Sequence, residues 1–166
     1  MAEPAPDAEV TLRRITSKTI RKICELSVAE GQKKFVAPNA VSIAQAHFSK
    51  DAWLRAICAG ETPVGFLLLW ESQKQGKYSL GRFMIDARYQ GRGYGRKALG
   101  LVIGHVRRKP RAKELILSVV RAEGGAEELY KSYGFMFTGK IDEGEHVMKL
   151  DLKKKTSASA AQQPQQ

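Results

Sequence analysis

Six consecutive residues, Gln90-Gly91-Arg92-Gly93-Tyr94-Gly95, combine three glycines with an arginine, and two more cations, Arg96 and Lys97, follow at once. The residues before them, YSLGRFMI at 78–85, read as a strand. After them Ala98, Leu99, Val102, Ile103 and Val106 recur at helical spacing. The glycines therefore fall where a strand gives way to a helix. A helix opens with backbone N–H groups that lack intrahelical acceptors and with the positive end of its dipole. Glycine removes the side chains that would hold an anion away from those groups, so the segment predicts a cradle for a diphosphate. A plain tight turn would use glycines too. The segment is not a Walker loop, since no Gly-Lys-Ser/Thr follows, and its glycine spacing is not that of a dinucleotide fingerprint.

The cations extend beyond this cradle. Residues 1–75 hold 10 Lys/Arg and 8 Asp/Glu, whereas residues 76–166 hold 18 and 9, so most of the formal net charge of +11 lies in the second half. Residues 88–113 carry Arg88, Arg92, Arg96, Lys97, Arg107, Arg108, Lys109, Arg111 and Lys113 with no acid among them. Such a field attracts a polyanion, either nucleic acid or a phosphorylated cofactor. A charge run alone reads as a solvated helix face; the glycines at its start favour the cofactor. A nucleic-acid module would interleave its cations with exposed aromatics on a platform, which this window does not do.

These residues need a scaffold, and 166 residues suit one domain with its own core. Residues 1–9 read as a flexible leader, 10–152 as the domain, and 153–166 as a disordered tail without a large apolar anchor. Strand patterns occupy 10–15, 53–58, 63–70, 78–85 and 114–120. A helix is expected after a Thr16 or Ser17 cap, with Ile20, Ile23 and Cys24 at helical spacing, and a second short one from Ser42. A third helix follows the glycines, a fourth spans 126–133, and a closing hairpin turns near 142–144. The run from 78 to 120 is a βαβ unit with parallel strands; the other strands should pair antiparallel. The fold class is α/β (α+β): a mixed, mostly antiparallel central sheet with a parallel βαβ cofactor unit, flanked by helices. Cys24 and Cys58 read as small core residues, and no metal is expected, since His47, His105 and His146 share no ligand spacing. No stretch reaches the roughly 18 apolar residues of a membrane helix. The opening MAEPAPDAEV lacks a signal-peptide pattern, so a cytoplasmic location is expected.

The segment 90–95 resembles motif A of the GNAT N-acetyltransferases, Gln/Arg-x-x-Gly-x-Gly/Ala, and the resemblance covers roughly residues 10–151. AEELYKSYGF at 126–135 is similar to the family's fourth-helix signature, with Tyr130 four residues before Gly134-Phe135. Val28, Gln32, Phe35 to Asn39, Ser42 and Gln45, with Arg82 to Asp86, Thr138-Gly139 and Gly144-Glu145, resemble the spermine/spermidine (diamine) acetyltransferase branch. This resemblance implies acetyl-CoA as co-substrate. The backbone of Phe83, Met84 and Ile85 would run along the pantetheine arm, and Gln90, Gly91, Arg92, Gly93, Tyr94, Gly95 and Arg96 would hold the pyrophosphate. Tyr130 would face the thioester sulfur as general acid. The family's asparagine three residues before Ala126 is Glu123 here, taking that place beside the cofactor. Arg121 puts a cation where polyamine enzymes tend to be acidic.

An amine attacks a thioester only when neutral, and an alkyl amine is mostly protonated at pH 7, so a base or a water chain must take its proton. Glu30, Glu71, Asp86 and Glu145 are carboxylates near strand ends or loops that could draw in the cation and relay that proton. Glu30 ranks first because it lies in the branch-like segment. Tyr133 reads as half-buried packing, Trp53 and Trp70 as core or pocket wall. The expected partners are acetyl-CoA and a small amine: polyamine-like first, with a protein lysine or an aminoglycoside amine as the alternative. A homodimer is left open, and neither nucleic acid nor membrane is expected. A non-catalytic basic nucleic-acid-binding module is the alternative of another class.

Overall fold

Continuous apolar residues from Pro63 to Leu69 build a strand buried on both faces, and the rest of the fold is arranged around it. A computed structural model describes residues 3–122 and 125–153. Within them the chain runs β1 (Val10–Arg13), α1 (Ile20–Glu25), α2 (Asn39–His47), β2 (Ala52–Ala59), β3 (Thr62–Ser72) and β4 (Lys77–Ile85). It continues through α3 (Tyr94–Arg107), β5 (Glu114–Val119), α4 (Glu127–Ser132), β6 (Met136–Asp142) and β7 (Glu145–Asp151). Short 3-10 turns occupy Glu30–Gln32 and Ala87–Tyr89. The strands form one sheet in the order β1-β2-β3-β4-β5-β7-β6. Among the described residues only the β4–β5 pair is parallel, as a βαβ crossover requires.

Successive residues of β3 point to opposite faces. Leu67 and Leu69 pack with Leu99, Val102, Ile103 and Val106 of α3, and Tyr130 and Phe135 join the same cluster. Phe66 and Leu68 pack with Ile23, Leu26 and Ala46 on the face covered by α1 and α2. The sheet is thus a partition between two cores.

Three sequence expectations need correction. The first helix does not start from a Thr16 or Ser17 cap: Thr16 O accepts from Thr19 N at 3.0 Å and Ile20 N at 2.9 Å, so a turn precedes it. It stops at Glu25, because the next residues are held by the end of β4: Ser27 N donates to Asp86 Oδ2 at 2.9 Å and Ala87 N to Ser27 O at 2.9 Å. The second helix starts at Asn39 rather than Ser42, directly behind Pro38. Asn39 is buried and its Nδ2 donates to Ile23 O at 2.8 Å, which ties the two helices together. Finally, Cys24 is exposed whereas Cys58 is buried. Ile23 is the α1 residue that fills the core, and its neighbour on a helix points elsewhere.

Gly65 is fixed by a close approach within this partition. A Cβ there would stand 2.3 Å from Met84 O and 2.9 Å from Ile85 Cδ1, a collision with backbone that no rotamer relieves. Gly65→Ala is therefore expected to destabilise the domain by about 1–3 kcal/mol. At this chain length that lowers Tm by about 2–10 °C. An unchanged thermal unfolding curve would contradict the packing described.

Candidate functional site

The site starts where β4 and β5 part. Tyr78, Ser79 and Leu80 pair with Leu115, Ile116 and Leu117, and the ladder ends there. Beyond it β4 stays paired with β3, through Phe83 to Leu67, Met84 to Phe66 and Ile85 to Gly65. Half of the peptide groups over 81–85 therefore face the side that β5 has left, an open strand edge able to take an extended amide chain as a partner. The departure coincides with a bulge. Leu68 opposes Arg82 and Leu69 opposes Leu80, so Gly81 is the extra residue. A Cβ on Gly81 would lie 2.4 Å from Trp70 Nε1, so glycine lets the indole lie against the bulge. Arg82 follows, its Nη1 donating to Gly81 O at 2.7 Å and its Nε buried with no partner among the described residues.

At the open end of β4 the glycine segment leads into α3. Gly91 and Gly93 adopt φ of 76° and 79°, the left-handed region that favours glycine, and Gly93 is the N-cap of α3. A Cβ on either would meet nothing within 4 Å, so the space in front of them is open. The first ladder bond of α3 is Lys97 N to Gly93 O at 3.1 Å. The N–H groups of Tyr94, Gly95 and Arg96 are left for another acceptor. A cavity of about 250 Å³ lies here, lined by Ile85, Tyr89, Gln90, Gly91, Gly93, Tyr94, Gly95, Arg96 and Leu129. Backbone donors, a helix N-terminus and Arg96 fit the diphosphate of acetyl-CoA. Arg96 is partly occupied: its Nη1 donates to Ser132 Oγ at 3.0 Å. Phe83 and Ile85 approach Gly95 from β4, joining cradle and open edge into one surface.

Arg92 also has a partner. Its Nη1 stands 2.6 Å from Glu3 Oε1, so an N-terminal acid sits on a cradle arginine. Both groups are solvent-accessible, so the pair is screened and easily exchanged for another anion. Glu3→Gln is accordingly expected to tighten CoA binding by up to about fivefold, measured by calorimetry at low salt. Weaker binding in the variant would show that Glu3 supports the cradle rather than competes for it.

Gln90 does not turn its side chain to the cradle. Its Nε2 donates to Ile85 O at 2.9 Å and to Gln32 Oε1 at 2.8 Å, across to the turn after α1. That turn borders a second depression of about 430 Å³, lined by Glu25, Ser27, Val28, Ala29, Glu30, Lys33, Asp86, Ala87 and Arg88. Glu30 lies on its rim, its side chain 86% exposed and paired with Lys33 Nζ at 2.6 Å. Asp86 is buried at the base of the turn and accepts from Ser27 N, Arg88 N and Arg88 Nε. Burial alone would raise its pKa, but the bonds from Arg88 and Ser27 outweigh it and hold the carboxyl below its usual value. An acid so engaged is a clamp, not a proton relay.

Tyr130 projects from α4 into the core that α3 shares, 7% exposed, with its ring edge-on to Phe135 at 5.7 Å. Burial pushes its phenol well above the ordinary value, so the hydroxyl stays protonated. Tyr133 is structural: its hydroxyl donates to Arg96 O at 2.7 Å. Glu71 lies at the other end of the sheet, opposite Tyr78, about 20 Å along β3 from Gly65. It is buried and binds His105 Nε2 at 2.5 Å and Lys109 Nζ at 3.0 Å. Desolvation lowers the His105 pKa despite that carboxylate, and its ring stacks on Trp53 at 4.0 Å. Glu145 opens β7 at the hairpin turn. Arg121 pairs with Glu127 at 3.4 Å. Glu123 lies outside the described residues, as do 154–166 of the expected tail. Sequence reasoning missed Gly81, the Gln32–Gln90 bond and the Glu3–Arg92 pair. The lone glycine inside a strand pattern was a signal for the first; the other two join residues far apart in sequence.

Among the described residues no helix is long and apolar enough to cross a membrane. The acetyltransferase (GNAT) family model matches residues 15–135. A spermine/spermidine N(1)-acetyltransferase of Bacillus subtilis (strain 168) is 31% identical over 153 residues, covering 86% of this chain and 99% of that protein. Among solved structures, the spermidine N-acetyltransferase of Vibrio cholerae in complex with CoA and spermine matches with a TM-score of 0.71 at 16% identity, over 87% of this chain and 96% of that one. The ribosomal-protein-S18-alanine N-acetyltransferase of Escherichia coli matches with a TM-score of 0.66 at 16% identity, over 90% and 97%. The acceptors these two names state differ, so likeness at this level speaks to the fold and not to the amine.

Proposed function

The chain belongs to the acetyltransferase (GNAT) family and is an N-acetyltransferase, and we propose that it moves the acetyl group of acetyl-CoA to a primary amine, polyamines such as spermidine and spermine preferred. One observation carries the reading: the open edge of β4 past Leu80 runs directly into the glycine cradle at the start of α3. A molecule with an amide-bearing arm and a diphosphate fits that succession. The backbone of Phe83, Met84 and Ile85 takes the arm as an added strand. Gly91 to Arg96 take the diphosphate, and the thioester then lies near the bulge at Gly81.

The amine approaches from the depression beside the turn after α1. Glu30 draws its cation to the rim, where Lys33 is exchanged for it, and water takes the proton before attack. Tyr130 donates a hydrogen bond to the departing thiolate. The acceptor preference rests on the 31% identical relative from Bacillus subtilis, whose name states spermine and spermidine. A thiol-release assay with acetyl-CoA over polyamines, diamines, aminoglycosides and lysine peptides tests it. Amine-dependent release with kcat/KM highest for spermidine or spermine is expected. A lysine peptide outrunning both would reverse the preference; no release with any amine would end the reading.

A further inference from the structure

Gln32 and Gln90 join two parts of the molecule that the proposed reaction loads separately. Gln90 Nε2 has two hydrogens, and both are used: one on Ile85 O at 2.9 Å, one on Gln32 Oε1 at 2.8 Å. Gln32 Oε1 has two lone pairs, and both are used: one by Gln90, one by Ala29 N at 3.1 Å. The amide pair therefore bridges the open end of β4, the first residue of the glycine cradle and the 3-10 turn Glu30–Gln32. On one side of it lies the cavity lined by Gln90, Gly91 and Gly93. On the other lies the depression lined by Ala29 and Glu30.

We infer that Gln32 is a positioning residue that couples the two substrates, setting the turn that meets the amine according to the state of the cradle that meets acetyl-CoA. The inference rests on the acetyl-transfer reading for the identity of the ligands, not for the coupling itself. Gly91 and Gly93 carry no side chain and Arg92 reaches only the N-terminal Glu3, so Gln90 is the side chain by which a change in that loop reaches the turn after α1. Asp86 clamps the same segment at Ser27, which leaves residues 29–32 to move against a fixed base. Ordering the cradle orders the Gln90 amide, and the Gln90 amide holds Gln32. The depression with Glu30 on its rim is then formed before the amine arrives. By linkage the effect is reciprocal: the amine must tighten the cradle by the same factor.

The chemistry singles out the variants. Only the carbonyl oxygen of Gln32 is engaged, so Gln32→Glu keeps both acceptor positions, whereas Gln32→Leu, one atom shorter and apolar, loses them. CoA with spermidine is an unreactive pair, and its binding reads coupling without turnover. Saturating spermidine is expected to tighten CoA by about fivefold or more in the parent and in Gln32→Glu, and by less than about twofold in Gln32→Leu. Equal tightening in a folded Gln32→Leu, or its loss in Gln32→Glu, overturns the inference. Hydrogen exchange on ligand-free protein decides independently of any substrate. Amides over 90–96 should exchange faster in Gln32→Leu than in the parent, with Gln32→Glu at the parent rate. No difference refutes the bridge even if acetyl transfer is confirmed, and failure of every amine to release thiol refutes the activity while leaving the exchange result to stand.

Discussion

Tyr130→Phe is expected to lower kcat by about 100- to 1,000-fold while acetyl-CoA affinity stays within a few-fold of the parent. The substitution removes one hydroxyl and keeps the ring that packs edge-on against Phe135, so the fold should hold. Among the described residues desolvation alone acts on that hydroxyl and no hydrogen bond contributes, so its loss leaves no orphaned group behind. Burial raises the phenol pKa above the ordinary value, well beyond the roughly 8.5 of a thiol. Full proton transfer to the thiolate would therefore be uphill. The hydroxyl acts instead as a fixed donor to sulfur as charge develops there, which is worth most in a site closed to water. A consequence follows for pH dependence: Tyr130 stays protonated across the working range and contributes no alkaline limb below about pH 10. The comparison is Tyr133→Phe, which breaks the bond to Arg96 O and so costs about 1 kcal/mol of stability, but leaves kcat within a few-fold. Near-full single-turnover rates in Tyr130→Phe would pass the role to water or another donor.

The parts of the fold that periodicity governs are legible in the sequence. The α3 stripe of Ala98, Leu99, Val102, Ile103 and Val106 is buried as its spacing requires, and β3 and β5 form strands where their apolar runs lie. Element ends were less legible, because partners distant in sequence set them. Asp86 stops α1 by holding Ser27, and Asn39 spends its amide on Ile23 O rather than on a cap of its own helix. The placement of β7 between β5 and β6 was also hidden, since either strand of a closing hairpin can join a sheet edge. The glycine cradle was readable because helix N-termini and glycine geometry are local. The side-chain role of Gln90 was not, as its partner Gln32 lies 58 residues away. The carboxylates divided on burial, which composition does not reveal. Asp86 and Glu71 are buried and fully engaged, while Glu30 remains at the surface with one lysine.

Gly93→Asp is expected to reduce CoA affinity by about 100-fold or more with the fold retained. Gly93 caps α3 at φ 79°, and no atom lies within 4 Å of the place a Cβ would take. The variant therefore meets backbone strain rather than a clash, and aspartate is among the residues that tolerate the left-handed region best. That strain amounts to roughly 1–2 kcal/mol. An acid at the start of a helix recovers part of it through the dipole. Binding is affected far more, for two separable reasons. The new carboxylate stands where the diphosphate must come, so like charges meet at close range. It also competes for the N–H groups of Tyr94, Gly95 and Arg96, which the diphosphate would otherwise use. Gly93→Ala separates strain from charge: it carries the backbone cost without the anion and should lose only about tenfold. Circular dichroism establishes that each variant is folded, and calorimetry with CoA measures the loss. A folded Gly93→Asp that binds CoA as the parent does would mean that the diphosphate lies elsewhere. The open edge of β4 would then have to be read with a different ligand.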